Sequence, residues 1–181
     1  MKTAVVVLAD GFEEIEAVTP IDLLRRAGVN VIVAGLTALK ATGSHGVVFG
    51  CDAVLEAVAP GWDALILPGG GLGAKNLSQS ALVKRCVEHT LASQAWLGAI
   101  CAAPAVVLGA QGFLKGRRFT GYPGTETQAV AASYVVEPVV VDGNIVTSRG
   151  AGTANAFALK LVELLAGPDQ AAETARAVLL A

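Results

Sequence analysis

Aromatic residues and charged runs are scarce in this 181-residue chain. Aromatic residues make up 5% of it and charged residues 15%, whereas hydrophobic residues account for 54%. The formal net charge is −2 and no basic run is longer than two residues, so the sequence lacks the electrostatic pattern of a nucleic-acid-binding protein. Its apolar residues are mainly small and aliphatic, which suits helices packed closely on both faces of a sheet.

Long apolar runs and cysteine clusters are also missing. The longest apolar run, residues 95–110, is shorter than the roughly 20 residues of a membrane-spanning helix, and Gly98 and Pro104 interrupt it. Three cysteines without a C-x-x-C pair or a Cys/His cluster favour neither a disulfide framework nor a zinc site. We therefore expect one domain over residues 1–181, in the cytoplasm, with no membrane, nucleic-acid, metal or cofactor partner.

Continuous β-branched segments alternate with amphipathic ones, which is typical of parallel β/α/β units. The predicted strands cover residues 3–9, 29–34, 64–67, 96–100, 134–141 and 144–147, and the predicted helices 13–27, 80–93, 103–109, 153–165 and 169–180. The segment 39–55 mixes glycine with short β-branched runs and predicts a small antiparallel excursion. Together these elements predict a flavodoxin-like, doubly wound α/β fold, with a mostly parallel sheet and helices on both faces.

Cys101 occupies a position that favours chemistry. It directly follows the predicted central strand 96–100 and precedes Pro104, a common first residue of helices. Its side chain should project from the carboxyl end of the sheet, where open α/β sheets bind ligands. The dipole and N–H groups of the following helix favour the thiolate, the nucleophilic form of cysteine. The turn is similar to the nucleophile elbow of hydrolases, but its position alone fits a buried structural cysteine equally well.

Three glutamates follow the first predicted strand at the same edge of the sheet. Glu13 and Glu14 suit a helix N-terminus because carboxylates complement the helix dipole. Glu16 lies one turn further and can face inward, toward the neighbouring strand ends. Since burial raises the pKa of a carboxyl group, a neutral Glu16 can donate a hydrogen bond to the sulfur of Cys101. We therefore expect the two side chains to form a pair.

The glycine-rich segment 68–74 matches the pattern G-x-G-x-x-A at Gly69, Gly71 and Ala74. A dinucleotide-binding fingerprint follows the first strand and has an acidic partner about 20 residues on, and neither condition is met here. The bare N–H groups of this loop can instead form an oxyanion hole or allow close packing at the site.

The remaining cysteines and the two histidines have weaker settings. Cys51 lies in the excursion and Cys86 inside a predicted helix, so both are interpreted as structural. His45 is on a loop and His89 in a helix, and neither lies next to Cys101 in sequence. A Cys–His dyad is therefore possible only through folding or dimerisation.

Four motifs occur in order along the chain: DGFEEIE at residues 10–16, LPGG at 67–70, AICAAP at 99–104 and TSRGAGT at 147–153. In this combination they resemble the DJ-1 branch of the ThiJ/PfpI superfamily, and within it the bacterial YajL-like group. The resemblance implies a flavodoxin-like homodimer with an oxidation-prone Cys101 and a protonated Glu16 bonded to it. It also implies an oxyanion pocket of backbone N–H groups near Gly69, Gly70 and Ala102.

Two departures from the family pattern affect the chemistry. Many relatives have a histidine at the position of Tyr122, whereas the YajL-like group, like this chain, has an aromatic residue there. An obvious general base is therefore missing, and turnover should be slow. An arginine that approaches the site from the partner subunit in relatives corresponds to His45, which donates to an oxidised cysteine only when protonated. The protease branch has a histidine after the cysteine; Ala102 stands there in this chain, which argues against a protease.

Two functional hypotheses remain, and a flavin or nucleotide carrier has little support. In the first, implied by the resemblance, the chain is a glutathione-independent glyoxalase or deglycase that acts on methylglyoxal and glycated adducts through Cys101 and Glu16. In the second, it is a stress-response redox sensor and chaperone in which Cys101 is oxidised to the sulfinate.

Overall fold

The computed structural model describes residues 1–180, which are organised around a central β-sheet. The strands are β1 (Thr3–Leu8), β2 (Asn30–Gly35), β3 (Lys40–Thr42), β4 (Val48–Gly50), β5 (Ala53–Val54), β6 (Ala64–Leu67), β7 (Trp96–Ile100), β8 (Arg118–Phe119), β9 (Ser133–Tyr134), β10 (Val139–Asp142) and β11 (Ile145–Ser148). The α-helices are α1 (Glu14–Arg26), α2 (Gly71–Ser78), α3 (Ala81–Ala92), α4 (Ala154–Ala166) and α5 (Pro168–Ala177).

Seven of these strands form the main sheet in the order β10-β11-β7-β6-β1-β2-β5. All neighbours in it are parallel except β10, which pairs antiparallel with β11. The strands β3 and β4 form a separate antiparallel hairpin, and β8 pairs with β9. The predicted flavodoxin-like α/β fold, including its small antiparallel excursion, is confirmed.

The order of the strands creates a crevice beside β1. The chain leaves β1 through α1 to β2 on one side and later places β6 on the other side. In open α/β sheets, such a change of direction separates the loops at the carboxyl ends of the two strands and leaves room for a ligand. The loops that carry Glu16, Gly69 and Cys101 follow β1, β6 and β7, so all three residues lie at this edge.

Helices cover both faces of the sheet and bury its central strands. On one face α1 packs against α4, and α4 against α5; α2 and α3 cover the other face with the π-helical segment Pro104–Gly109. From Ala4 to Leu8 every residue of β1 is fully buried, as expected of a central parallel strand. Within residues 1–180 every helix is too short or too polar to cross a bilayer.

Two helical segments differ from the sequence prediction. The helix α2 was not expected, because Gly71 and Gly73 have low helix propensity; it forms because Ala74 and Leu77 are buried against the rest of the protein. The predicted helix 103–109 is instead π-helical, and the Ala110 N–H donates to the carbonyl of Ala105 at 2.9 Å. Single π-turns of this kind occur frequently at functional sites.

The variant Phe157→Ala tests the packing of α4 on the sheet. The Phe157 ring is fully buried, and a Cβ placed on Gly98 of β7 would lie only 3.0 Å from its Cζ atom. Removal of the ring should lower the free energy of unfolding by about 3–5 kcal/mol, measured by urea denaturation. Val130→Ala, at a side chain that is 78% exposed, is the control and should change stability by less than about 0.5 kcal/mol. A similar small loss for Phe157→Ala would contradict this packing.

Candidate active site

Cys101 lies on a sharp turn between β7 and the π-helical segment. Its backbone has a φ of +66°, which is uncommon for a residue other than glycine. Two hydrogen bonds hold the turn: the Cys101 N–H donates to the carbonyl of Ser148 at 3.0 Å, and the Tyr122 N–H donates to the carbonyl of Cys101 at 2.7 Å. Strain of this kind persists where the surroundings determine the conformation, and here it fixes the direction of the thiol.

Glu16 is buried in the first turn of α1, at the carboxyl end of β1. The Glu13 carboxylate caps this helix by accepting a hydrogen bond of 2.8 Å from the Glu16 N–H. The cap places the Glu16 side chain on the inner face of the helix, where the residue is 1% exposed. Its Oε2 atom accepts a hydrogen bond of 2.9 Å from the Gly69 N–H in the loop after β6.

The loop after β6 brings Glu16 and Cys101 together because it carries no side chain between them. A Cβ placed on Gly69 would lie 2.6 Å from both the Cβ of Cys101 and the Oε2 of Glu16. The next residue, Gly70, has a φ of +84°, and a Cβ there would lie 2.2 Å from the Gly11 carbonyl oxygen. Glycine is therefore required at both positions for the two functional groups to meet.

The environment of Glu16 favours its neutral form. Burial, together with the nearby charge of Glu13, raises its pKa from 4.5 to about 7, against the lowering effect of hydrogen bonds from Cys101 and from the backbone of Gly69 and Ala151. Near neutral pH the group can therefore both give and accept a proton, as a general acid–base catalyst must.

The thiol of Cys101 is not acidic in its own right. Burial, with the charge and hydrogen bond of Glu16, raises its pKa to about 12, while backbone N–H groups of Gly70 and Ala102 act in the opposite direction. The N–H of Ala102, at the start of the helical segment, does favour the thiolate as the sequence analysis expected, but burial and Glu16 outweigh its effect on the pKa. A thiolate forms readily only when the departing proton is held by Glu16, so the two groups act as one coupled pair.

The predicted backbone pocket divides into two parts. The N–H groups of Gly70 and Ala102 interact with the sulfur of Cys101. The N–H of Gly69 is directed to Glu16 instead. The loop after β6 therefore supplies one donor to the sulfur and one to the carboxyl group, and Ala102, after β7, supplies the second donor to the sulfur.

Tyr122 lines the site but supplies no base. Its N–H supports the Cys101 turn, and its side chain is 54% exposed. A Cβ placed on Gly150 would lie 3.7 Å from the Tyr122 ring and 3.8 Å from Oε1 of Glu16, so the ring lies beside the carboxyl group. The sequence analysis assigned no role to the segment after β11, yet Ser148, Gly150 and Ala151 form one wall of the site. The segment belongs to the TSRGAGT motif, and its backbone makes the contact with Cys101.

His45 is not brought to Cys101 within the chain. Its ring is 74% exposed, and its Nδ1 lies 2.9 Å from a carboxylate oxygen of Glu14. This contact raises the pKa of His45, and together with the His45 N–H it helps lower the pKa of Glu14 to about 2, against the effect of burial. With Glu13, these residues place three potential metal-ligating atoms within 4.8 Å of one another, a cluster that the sequence analysis did not anticipate.

The other cysteines do not share the setting of Cys101. Cys51 is half-buried and Cys86 is buried within α3, and burial raises the pKa of both. Cys51 lies beside Asp52, whose charge adds to this rise, but neither cysteine is paired with a buried carboxyl group like Glu16, so both fit the structural interpretation.

Comparison with known proteins gives consistent matches over the chain. A family model described as the DJ-1/PfpI family matches residues 2–164. The Parkinson disease protein 7 homolog of Danio rerio is 41% identical over 185 residues, which cover 99% of this chain and 97% of that protein. A Pyrococcus abyssi protein named as a deglycase is 35% identical over 87% of this chain and 95% of its own length. The chain spans 40% of the length of Arabidopsis thaliana protein DJ-1 homolog B, to which it is 39% identical.

Solved structures support the same relationship. The structure described as Toxoplasma gondii DJ-1, oxidized, superposes with a TM-score of 0.96 at 38% identity, over the full length of both chains. Drosophila melanogaster DJ-1beta gives a TM-score of 0.95 at 42% identity, over 99% of this chain and 98% of that one.

The raised pKa of Glu16 predicts a specific dependence of stability on pH. The folded protein binds this proton more tightly than the unfolded chain, so the contribution is fully present below pH 4.5 and is lost as the pH rises through about 7. Between these values the wild-type protein should lose up to about 3 kcal/mol that Glu16→Gln does not lose. Urea denaturation of both proteins from pH 4.5 to 7.5 measures the difference. Parallel stability curves would contradict a neutral, buried Glu16.

Proposed function

The chain belongs to the DJ-1/PfpI family, and we propose that it acts as a glutathione-independent glyoxalase and deglycase in which Cys101 is the nucleophile and Glu16 its proton carrier. The observation that carries this proposal is the coupled pair: a thiol on a strained turn beside a buried carboxyl group whose pKa is raised to about 7. Proposed substrates are small α-oxoaldehydes, such as methylglyoxal, and the early glycation adducts that they form.

The first step is addition of the sulfur to the aldehyde carbon. A carbon–sulfur bond forms, the thiol proton passes through Glu16 to the aldehyde oxygen, and the product is a hemithioacetal. The N–H groups of Gly70 and Ala102, which act on the sulfur, can stabilise negative charge that develops on the adjacent oxygen.

The second step moves a proton between two carbons. Glu16, as a carboxylate, removes the proton from the former aldehyde carbon and returns it to the neighbouring carbon. The hydroxyl proton of the hemithioacetal moves to the oxygen of that neighbouring carbon, so that the former aldehyde carbon becomes the carbonyl of a thioester and its neighbour carries the hydroxyl. A pKa of about 7 suits both halves of this transfer at neutral pH. Water then cleaves the thioester to lactate and the free thiol, so that one water is consumed and no oxidant or metal is needed.

The absence of a histidine at Tyr122 limits the last step. Hydrolysis of the thioester needs a base to activate water, and the exposed Tyr122 ring is a poor one. Slow turnover is expected for this reason. The relative named as a deglycase supports the same site acting on glycated adducts.

The proposed assembly is a cytoplasmic homodimer. Ile15 and Val18 on α1 are 54% and 40% exposed, and such apolar side chains on a helix suit an interface. The exposed ring of His45 would approach the site of the second subunit in this assembly and donate to an anion there when protonated.

A direct assay tests the enzyme proposal. The purified protein, supplied with methylglyoxal and no glutathione, should produce lactate above the buffer rate. Cys101→Ser should abolish this production, and Glu16→Gln should lower kcat by at least about 100-fold because it cannot exchange a proton. Cys86→Ser is the matched control and should retain wild-type activity. Lactate production by Cys101→Ser equal to that of the wild type would refute the assignment.

The surroundings of Cys101 also favour a redox role as a second candidate function. Two backbone N–H groups and a protonated Glu16 around the sulfur can hold the oxygens of a cysteine sulfinate. One structural relative is described as oxidized. In this role oxidation of Cys101 would alter partner binding or chaperone activity.

Mild peroxide treatment distinguishes the cysteines. Intact mass and peptide mapping should show the addition of two oxygen atoms at Cys101 before either Cys51 or Cys86 is modified, because only Cys101 has N–H donors and an acid to stabilise the product. In Glu16→Gln, oxidation of Cys101 should stop before the sulfinate or continue beyond it, because the amide cannot share a proton with the sulfinate. If Cys51 were oxidised before Cys101, the sensor hypothesis would lose its proposed site.

A further inference from the structure

The wall of the site that follows β11 is held by one hydroxyl group, that of Thr153. This residue ends the short 3₁₀ helix Ala151–Thr153. Its Oγ1 atom accepts a hydrogen bond of 3.1 Å from the Gly150 N–H and lies 2.9 Å from the Gly150 carbonyl oxygen. The same atom lies 2.7 Å from the hydroxyl oxygen of Ser148. One side chain therefore ties together the two ends of the wall, Ser148 and Gly150.

The two hydroxyl groups of this cluster have defined hydrogen-bonding roles. The Ser148 hydroxyl donates to the carbonyl of Pro138 at 2.7 Å, so its oxygen is left as an acceptor for the Thr153 hydroxyl. The single proton of the Thr153 hydroxyl is shared between this oxygen and the Gly150 carbonyl, while its lone pair receives the Gly150 N–H. A methyl group in place of the Thr153 hydroxyl would remove the acceptor of the Gly150 N–H, and an unpaired donor is unfavourable.

Each end of the wall acts on one member of the reactive pair. The Ser148 carbonyl accepts the hydrogen bond of 3.0 Å from the Cys101 N–H, which holds the strained turn of the thiol. The other end faces Glu16, because a Cβ placed on Gly150 would lie 3.8 Å from its Oε1 atom. The backbone of Ala151 forms a hydrogen bond with the same carboxyl group and lowers its pKa. Since one hydroxyl holds both ends, it connects the turn of the thiol to the surroundings of the acid.

Few other groups act on the Glu16 carboxyl group in the described part of the chain. The titratable ones are Cys101, after β7, and Glu13, at the start of α1. The loop after β6 contributes the Gly69 N–H, which is bonded to Oε2. The segment after β11 contributes the backbone of Ala151. A change in the position of this segment would therefore remove one backbone donor and leave the other contacts of the acid in place.

We propose that Thr153 is a positioning residue for the proposed reaction, which holds the segment after β11 against Glu16 so that the carboxylate form of this acid keeps a second backbone donor. Thr153 makes its own hydrogen bonds to Ser148 and Gly150, so it acts through the backbone and not on the substrate. The inference rests on the proposed function in one respect, that Glu16 carries the proton of Cys101. Loss of the Thr153 hydroxyl should make the carboxylate less favourable, so that the proton leaves at higher pH.

Labelling of Cys101 with iodoacetamide tests the inference without requiring turnover. The thiolate forms a carbon–sulfur bond with the reagent and displaces iodide, and peptide mass spectrometry gives the rate from about pH 5 to about pH 9. The midpoint of the rate against pH is the readout, because the rate levels off once the coupled pair has lost its first proton. Glu16→Gln assigns this midpoint, since the amide has no such proton and the midpoint should be absent.

Thr153→Val, which keeps the shape of the side chain and loses the hydroxyl, should raise the midpoint by up to about one pH unit, as expected when a charged group loses one hydrogen bond. Thr153→Ser should keep the wild-type midpoint because it keeps the hydroxyl. Thr174→Val is the matched control. The Thr174 hydroxyl is buried on α5 and has no hydrogen-bond partner within residues 1–180, so its removal should leave the midpoint unchanged.

The outcomes separate the two proposals. A wild-type midpoint in Thr153→Val, with no midpoint in Glu16→Gln, would overturn the role of Thr153 and leave the coupled pair intact. A midpoint that persists in Glu16→Gln would overturn the pair and the inference together. An equal rise in Thr153→Ser or in Thr174→Val would also overturn the inference, because the Thr153 hydroxyl would not be its cause.

Should Thr153→Val not fold, the wild-type protein decides. In an NMR titration of the backbone amides, the amide proton of Ala151 should change its chemical shift through the same midpoint as the labelling of Cys101, because its acceptor Glu16 gains a charge there. An Ala151 amide signal that stays constant through this midpoint would overturn the inference, since Thr153 would then hold a segment that has no effect on the acid.

Discussion

The hydrogen bond from the Gly69 N–H to the buried carboxyl group of Glu16 is the contact on which the site depends. It ties the loop after β6 to the first turn of α1, and the missing side chain of Gly69 lets Cys101 approach the same carboxyl group. Burial of an acid is costly unless it is neutral or well bonded. The protein meets this condition with a raised pKa and with donors from the backbone, and the result is a proton held beside a thiol.

The topology explains why such a site forms at this edge of the sheet. Parallel strands end at one edge, and the strand order reverses at β1, so that the segments after β1 and β6 lie side by side and are hydrogen-bonded there. The carboxyl group comes from the segment after β1, and the N–H groups of Gly69 and Gly70 come from the loop after β6. The thiol and the Ala102 N–H come from the segment after β7, and a further wall comes from the segment after β11. The four strands are buried over most of their length, and they place the four segments at one edge of the sheet.

The sequence was sufficient for the fold and for the meeting of Cys101 with Glu16, because both depend on patterns with a clear period and on residues that directly follow strands. It was insufficient where packing overrides local preference. Gly71 and Gly73 disfavour a helix, yet α2 forms because its buried side chains pack well. The net pKa of Cys101 could not be predicted either, since an argument from the helix dipole takes no account of burial beside a second ionisable group. Contacts of the backbone, such as the Ser148 carbonyl with Cys101, leave no trace in side-chain identity.

The proposed catalysis and the proposed oxidation both depend on the same property of the coupled pair, Cys101 and Glu16. A thiol whose own pKa is near 12 is protected from indiscriminate reaction, because the thiolate appears only while Glu16 holds the proton. An aldehyde accepts that proton as the carbon–sulfur bond forms, so the pair is well suited to reversible addition. Peroxide also requires the thiolate, and the resulting acid finds the same donors that would stabilise a hemithioacetal. In the proposed reaction, the lack of a base at Tyr122 would slow hydrolysis and keep the sulfur longer in covalent states, so the supply of aldehyde and of peroxide would decide between turnover and oxidation.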